Sequence, residues 1–356
     1  MKNKEKDTGC NLYPSGIGGQ AVLEGIMMRN KGDYAVAVRK PDDTIAVDVQ
    51  KYKGFTEGKK ILGLPLIRGV FNFIDSMVLG IKTLTFSASF FDEEEEEPGK
   101  FETWLLNKLG EKAEKVVMAF TVMLSVILAV GLFMLLPLFI ADLCERFIPG
   151  VGSRQVPVIE GVVKIVIFIA YLLLISLMKD IKRTFMYHGA EHKCINCIES
   201  GKELSVDNVR ESSRFHKRCG TSFMLIVLVI SIVIFILVQT KTIWLRYLIR
   251  ILLIPVIAGI SYEFIKLAGR STNPVVNLLS KPGLWMQKIT TKEPTDDMIE
   301  VAIAAVEAVF DWKTYLRENG IELEEDRLKR EEEARVLARL REQHVEGEGS
   351  GYNWKF

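Results

Sequence analysis

Four stretches of this chain are nearly free of charge and long enough to cross a lipid bilayer, and they decide what it can fold into. Val116–Ala141 runs 26 residues without a charged side chain. Val162–Met178 is apolar except for Lys164, and Ser222–Val238 carries no charge at all. Ile243–Ile260 is apolar except for Arg246 and Arg250. A bilayer core takes roughly 20 apolar residues as helix, and backbone in hydrocarbon must satisfy its own hydrogen bonds. The expectation is an α-helical integral membrane protein with about four transmembrane helices, two within 116–178 and two within 222–262. The two arginines of the fourth stretch fall in its first two turns and are expected to snorkel toward the interface. Overall, 49% of residues are hydrophobic, ordinary for a soluble protein. Only their clustering sets the class.

Orientation follows from the basic residues between the stretches. The loop joining the second and third carries nine, from Lys179 to Arg218. The loop joining the first and second has only Arg146 and Arg154. Positive loops stay inside, which predicts a cell-membrane protein with both termini and the 179–221 loop in the cytosol. The N-terminus is polar and lacks an apolar h-region, so no cleaved signal peptide is expected. The formal net charge of +1 gives no bias toward nucleic acid. No glycine-rich phosphate loop with a following lysine is present, which argues against ATP use.

Ahead of the first span, residues 1–63 read as a small cytosolic α+β region. Tyr34–Arg39 and Thr44–Gln50 are alternating and β-branched around Lys40-Pro41-Asp42-Asp43, a hairpin signal. Gly16–Asn30 is glycine-rich, which permits tight turns or close backbone approach. Residues 64–91 are ambiguous. Their charges, Arg68, Asp75 and Lys82, are seven apart and share a helical face. As a fifth span the segment would bury Asp75 at roughly 2.5–3.5 kcal/mol, so an amphipathic, membrane-associated helix is preferred. Residues 92–115 read as an acidic linker and juxtamembrane helix. Asn273-Pro274 and Lys281-Pro282-Gly283 are expected to break helix, within a cytosolic helical region over 263–318. A helix from Thr295 through Phe310 should present Met298, Ile299, Ala302, Val306 and Val309 on its apolar face. The charged tail, 319–356, reads as helix or disorder.

The chemistry concentrates in Tyr187–Cys219, with three of the four histidines and three of the five cysteines. In His188-Gly-Ala-Glu191-His192 the histidines are four apart, so one helical face presents both to one ion with Glu191 beside them. This is the H-x-x-E-H order of inverted zincins, where the glutamate is a general base. A third ligand is needed, and Glu263 at the end of the fourth span is a candidate. Cys194-x2-Cys197-x18-His216-x2-Cys219 has the spacing of a four-ligand zinc knuckle. Two partitions follow. Either the Cys3His set is structural and His188–Glu191–His192 forms a second, open site, or one site draws on both groups.

The segments GGQAVLEGIMMR, LPLIRGVFNFIDS and YHGAEHKCINC…RFHKRCGTSF together resemble the YqhQ-like family of bacterial integral membrane proteins. The likeness runs from about Tyr13 to Phe310. Such proteins are described as predicted metal-dependent enzymes. The resemblance implies a membrane location and metal use at His188, Glu191, His192, Cys194, Cys197, His216 and Cys219, and no particular reaction. The expectation is thus a cytosol-facing, membrane-embedded hydrolase using zinc, with Glu191 as base and the lipid bilayer as its surroundings. The rival is a non-enzymatic scaffold whose zinc staples the cytosolic loop.

Overall fold

The computed structural model describes residues 13–55, 57, 62–91, 113–152, 155–238, 240, 242–269 and 273–348. The leader 1–12, the acidic run Asp92–Glu97 and the last eight residues of the tail lie outside the described residues. Four strands form an antiparallel meander in chain order: β1 (Gly18–Val22), β2 (Gly25–Asn30), β3 (Asp33–Arg39) and β4 (Ile45–Lys51). The hairpin read from the sequence is β3–β4, with Arg39 opposite Ile45. The glycine-rich segment supplies a second hairpin, β1–β2. Its two-residue turn, Leu23-Glu24, holds Glu24 at φ 47°.

Successive strand side chains point to opposite faces, and both faces of this sheet are covered. Ile26, Met28 and Ala37 join a core with helices downstream of the second span. Met27, Val36 and Val38 join another with Leu79 of helix α1 (Ile67–Ala88). The three charges of α1 engage protein along one face. Arg68 makes a bidentate pair with Glu263 at 2.7 and 2.6 Å. Asp75 accepts from the Tyr52 hydroxyl and the Phe55 N–H, both at 2.9 Å. Lys82 donates to Gln50 at 2.7 Å. The partners of Asp75 explain a carboxylate in the middle of an apolar segment.

Among the described residues four helices are long and apolar enough to cross a membrane, and α1 is not one of them. The first is α2 (Ala113–Val130) continuing through a π-helical turn at Gly131–Leu135 into α3 (Leu136–Phe147). The others are α4 (Val156–Ile175), α7 (Gly220–Leu237) and α8 (Ile243–Ala268). The arginines of α8 do not snorkel. Arg246 pairs with Asp142 at 2.6 Å, and the buried Arg250 pairs with Glu160. Lys164 reaches the same Glu160 at 3.4 Å, and it and Arg250 both lie over the Phe235 ring. Both acids stand just outside the uncharged stretches, within the helices themselves.

Between α4 and α7 lie α5 (Lys179–Glu199) and α6 (Val206–Glu211); after α8 come α9 (Pro274–Thr290), α10 (Asp296–Glu307), α11 (Trp312–Glu318) and α12 (Glu324–Glu348). Helix α5 starts afresh after an extended Met178 and is not a continuation of α4. Asn273-Pro274 begins α9, the Asn273 side chain capping Val275 N–H at 2.8 Å. The break expected at Lys281-Pro282-Gly283 does not occur: α9 runs through it. Packing overrides propensity here, because a Cβ at Gly283 would lie 2.9 Å from the Cβ of Ser222 on α7. Met298, Ile299, Ala302 and Val306 of α10 are buried against α5; the helix ends at Glu307, short of Phe310, and Val309 packs partly buried against the same core.

Removing the buried Asp75 carboxylate leaves the Tyr52 hydroxyl and Phe55 N–H without an acceptor, at about 1–3 kcal/mol. Asp75→Ala is therefore expected to lower the temperature at which detergent-solubilised protein loses its monodisperse peak on size exclusion. Ser76→Ala, at an exposed neighbour, should leave it unchanged.

Candidate metal centre

The second half of α5, YHGAEHKCINCIE, is polar in sequence yet buried without interruption from Gly189 to Glu199. Its histidines share a face, with ring centroids 4.4 Å apart. His188 Nδ1 meets the Thr290 carbonyl at 3.0 Å, and His192 Nδ1 meets the Arg214 carbonyl at 2.7 Å. A carbonyl only accepts, so each Nδ1 carries a proton, and in the neutral imidazole Nε2 is the atom free to ligate. The third member is Cys219, the N-cap residue of α7, whose Sγ lies 3.3 Å from His188 Nε2. One ligand atom each from His188, His192 and Cys219 falls within 4.8 Å of the other two, the one such group among the described residues.

Electrostatics favour the ligating form of the thiol. Burial alone would push Cys219 up, but the two imidazoles outweigh it and hold it well below its usual value. Burial likewise opposes charge on His188, and the facing sulfur overcomes it, pushing the imidazole up to about 9. Glu191 lies one residue before His192 and is 5% exposed. Its carboxyl is pushed up by burial, against the pull of both histidines. It accepts from the Gly19 backbone N–H, while its Oε2 has no hydrogen-bond partner among the described residues. A Cβ at Gly19 would lie 3.1 Å from the Glu191 carboxyl carbon and 2.6 Å from the Met27 carbonyl, so β1 can pass here only as glycine.

The remaining residues of the stretch lie elsewhere. Cys194 and Cys197 sit in the last two turns of α5, within the helix and not in a knuckle turn, and both enter the apolar core. Cys197 Sγ faces the Glu203 carbonyl at 3.3 Å. Burial raises both thiols, Cys197 to about 11. His216 is buried beside His192, ring centroids 5.6 Å apart, and its Nε2 is 3.6 Å from Glu199. Burial lowers its pKa. Glu263 has both oxygens on Arg68 and is not brought to the group. The structure thus gathers His188, His192 and Cys219 with Glu191 alongside, and leaves Cys194, Cys197 and Glu263 apart.

Several positioning groups carry no local signal in sequence. Gln287 of α9 holds the His216 backbone from both sides, accepting its N–H at 2.9 Å and donating to its carbonyl at 2.8 Å. This fixes the strand that delivers Cys219. Glu199 takes the Ser15 N–H and hydroxyl at 2.7 Å each, and pairs with Arg218. Glu24 receives the Arg183 guanidinium and the Tyr187 hydroxyl.

Comparison with known proteins places the chain in a family. The profile of a family described as "Protein of unknown function (DUF1385)" matches residues 64–312. The chain belongs to that family. A curated relative, "Uncharacterized protein YqhQ" of Bacillus subtilis (strain 168), is 36% identical over 293 residues, covering 82% of this chain and 91% of its own. No solved structure matches the chain.

Glu199 gives the site region an acid dependence. Burial would raise its pKa, but His216, Arg218 and Ser15 together hold it at about 2, below its usual 4.5. A lowered carboxylate stabilises the fold above its unfolded pKa and loses that contribution as pH falls toward the folded value. Protease resistance of the sheet and α5 should therefore fall between about pH 4.5 and pH 2. Glu199→Gln should remove that acid dependence while lowering resistance at neutral pH.

Proposed function

We propose that the chain is a membrane-embedded, metal-dependent hydrolase, held in the bilayer by α2–α3, α4, α7 and α8, with His188, His192 and Cys219 as ligands and Glu191 as general base. Two imidazoles and a thiolate suit zinc, and three protein ligands leave a position open for chemistry. A divalent ion there supplies a Lewis acid and makes a nucleophile of water near neutral pH. The chain's own contribution is orientation. The Thr290 and Arg214 carbonyls fix both imidazole tautomers, and the Gly19 N–H aims the Glu191 carboxyl. The basic residues between α4 and α7 favour a cytosolic face for this group.

The observation that carries the reading is Glu191 Oε2. It is buried, its carboxyl feels the charges of His188, His192 and Cys219, and it has no hydrogen-bond partner among the described residues, in a helix whose other buried polar side chains are held. A second reading rests on the same atom. If Glu191 is itself a fourth ligand, the site is closed and structural, and the protein is a membrane scaffold.

Metal content per chain and function in cells separate the two. One zinc per chain is expected in wild type, lost in His192→Ala and Cys219→Ser and retained in Cys197→Ser. Glu191→Gln should keep its zinc yet fail to replace the wild-type gene in a deletion strain. Retained zinc with full replacement would overturn the hydrolase. Lost zinc in Glu191→Gln would select the scaffold.

A further inference from the structure

Two helices outside the four apolar spans carry exposed apolar stripes, and both stand at the end of the bundle that holds the candidate metal group. On α1 the stripe is Ile67, Ile74, Met77, Val78, Ile81 and Leu84. At 100° per residue these fall on one side, and the charges that engage the sheet and α8 run along a separate line beside them. On α9 it is Val275, Leu278, Leu279 and Trp285, with exposed Lys281 and Lys288, seven apart, along one edge.

We propose that α1 and α9 form a collar immersed in the membrane interface on the face where His188, His192 and Cys219 lie. This rests on the reading that the four apolar helices cross a bilayer, and it needs no metal. The first argument is continuity with the lipid-facing surface. Helix α1 crosses α8 at close range: a Cβ at Gly69 would lie 3.0 Å from the Gly259 Cα. Asn72 bonds the Tyr262 hydroxyl at 2.8 Å, and Phe73 stacks on Phe223 of α7 at 5.6 Å. Helix α9 follows α8 in the chain and packs on α7 at Gly283 and Ser222. The collar therefore meets α7 near its first turn and α8 near its last two.

The second argument is polarity. An interfacial helix has a charged face, an apolar face and long cations at the border that keep their heads in water. Lys281 and Lys288 stand at that border on α9, and tryptophan is enriched at this depth. Arg68, Asp75 and Lys82 on α1 all point away from the stripe into protein. Lysines at the edge also suit anionic headgroups, whereas a soluble partner would be selected by polar groups that the stripes lack. Cys219 caps the first turn of α7, so the ligand set shares the collar's depth.

The test is nitroxide accessibility in proteoliposomes of anionic lipid, using full-length protein with Cys10→Ser and Cys144→Ser and the three buried thiols left in place. Labels go at Ile81→Cys and Leu278→Cys, with Val229→Cys on the outer face of α7 and Val49→Cys on β4 as references. The spectrum of the parent without added cysteine is subtracted. At 81 and 278, collisions with oxygen should exceed those with a water-soluble nickel chelate severalfold, at a depth between the two references. Nickel accessibility at 81 and 278 equal to that at 49, with 229 lipid-like, overturns the collar alone. Protection of 81 and 278 from both reagents means that protein covers the stripes, and also overturns it. Nickel accessibility at 229 overturns the membrane reading itself.

Discussion

A helix that is polar in sequence and buried in fact is the constraint on which this structure turns. Buried polar groups cost free energy unless they are hydrogen-bonded. The second half of α5 carries Glu191, His192, Lys193, Asn196 and Glu199, all screened from water. The surrounding chain supplies their partners. Lys193 donates to the Arg210 and Ser212 carbonyls and pairs with Glu293 at 2.9 Å. Asn196 donates to the carbonyls of Ser213 at 2.6 Å and Phe215 at 3.0 Å. His192 takes Arg214, His188 takes Thr290, and Glu199 takes Ser15 and Arg218. The segment between α6 and α7 is wrapped around α5 because its carbonyls are needed there. That wrapping ends at Cys219, and so brings a sulfur to two imidazoles.

The sheet belongs to the same arrangement. It covers the side of α5 that the loop does not, with Gly19 against Glu191 and Glu24 against Arg183 and Tyr187. Closest approach recurs at Gly189, where a Cβ would meet the Lys292 carbonyl at 1.9 Å. A helix enclosed so tightly holds the His188 and His192 rings in place through its packing and hydrogen bonds. Preorganisation of this kind is what a metal site needs from its surroundings. A single unpartnered oxygen on Glu191 is then an exception with a location, not a loose end on a surface.

The apolar helices and the β3–β4 hairpin were legible because each depends on short-range pattern: length without charge in one case, alternation around a turn in the other. The pairing of His188 with His192 was legible for the same reason, since helical spacing alone puts them together. The cysteines show where spacing fails. Two residues between Cys194 and Cys197 fit a tight turn or most of a helical turn equally well, and burial in the core favoured the helix. Glu263 at the end of a span satisfied a search for a carboxylate on the right side. Nothing local could reveal that Arg68, far back in the chain, holds both its oxygens. Glu160 and Asp142 were hidden differently: they fall outside the uncharged stretches yet inside the helices, so the acids that neutralise the α8 arginines looked like loop residues.

That last group bears on how the bundle holds the site. Between helices in lipid there is little hydrophobic drive, and association relies on close packing and on polar contacts. Gly161 against Ile232 brings α4 to α7, where a Cβ would meet the side chain at 2.6 Å. Glu160, one residue earlier, draws Lys164 of its own helix and Arg250 of α8 onto the Phe235 ring of α7. Buried ion pairs of this kind add little net stability, but breaking one leaves an uncompensated charge. They therefore act as a register lock among α4, α7 and α8 at the end of the bundle away from the candidate metal group. Helices locked in rotation at one end deliver Cys219, at the start of α7, and the α4–α5 junction at a fixed relative position at the other. The charges that violate the apolar pattern and the candidate group of His188, His192 and Cys219 are in this sense two ends of one arrangement.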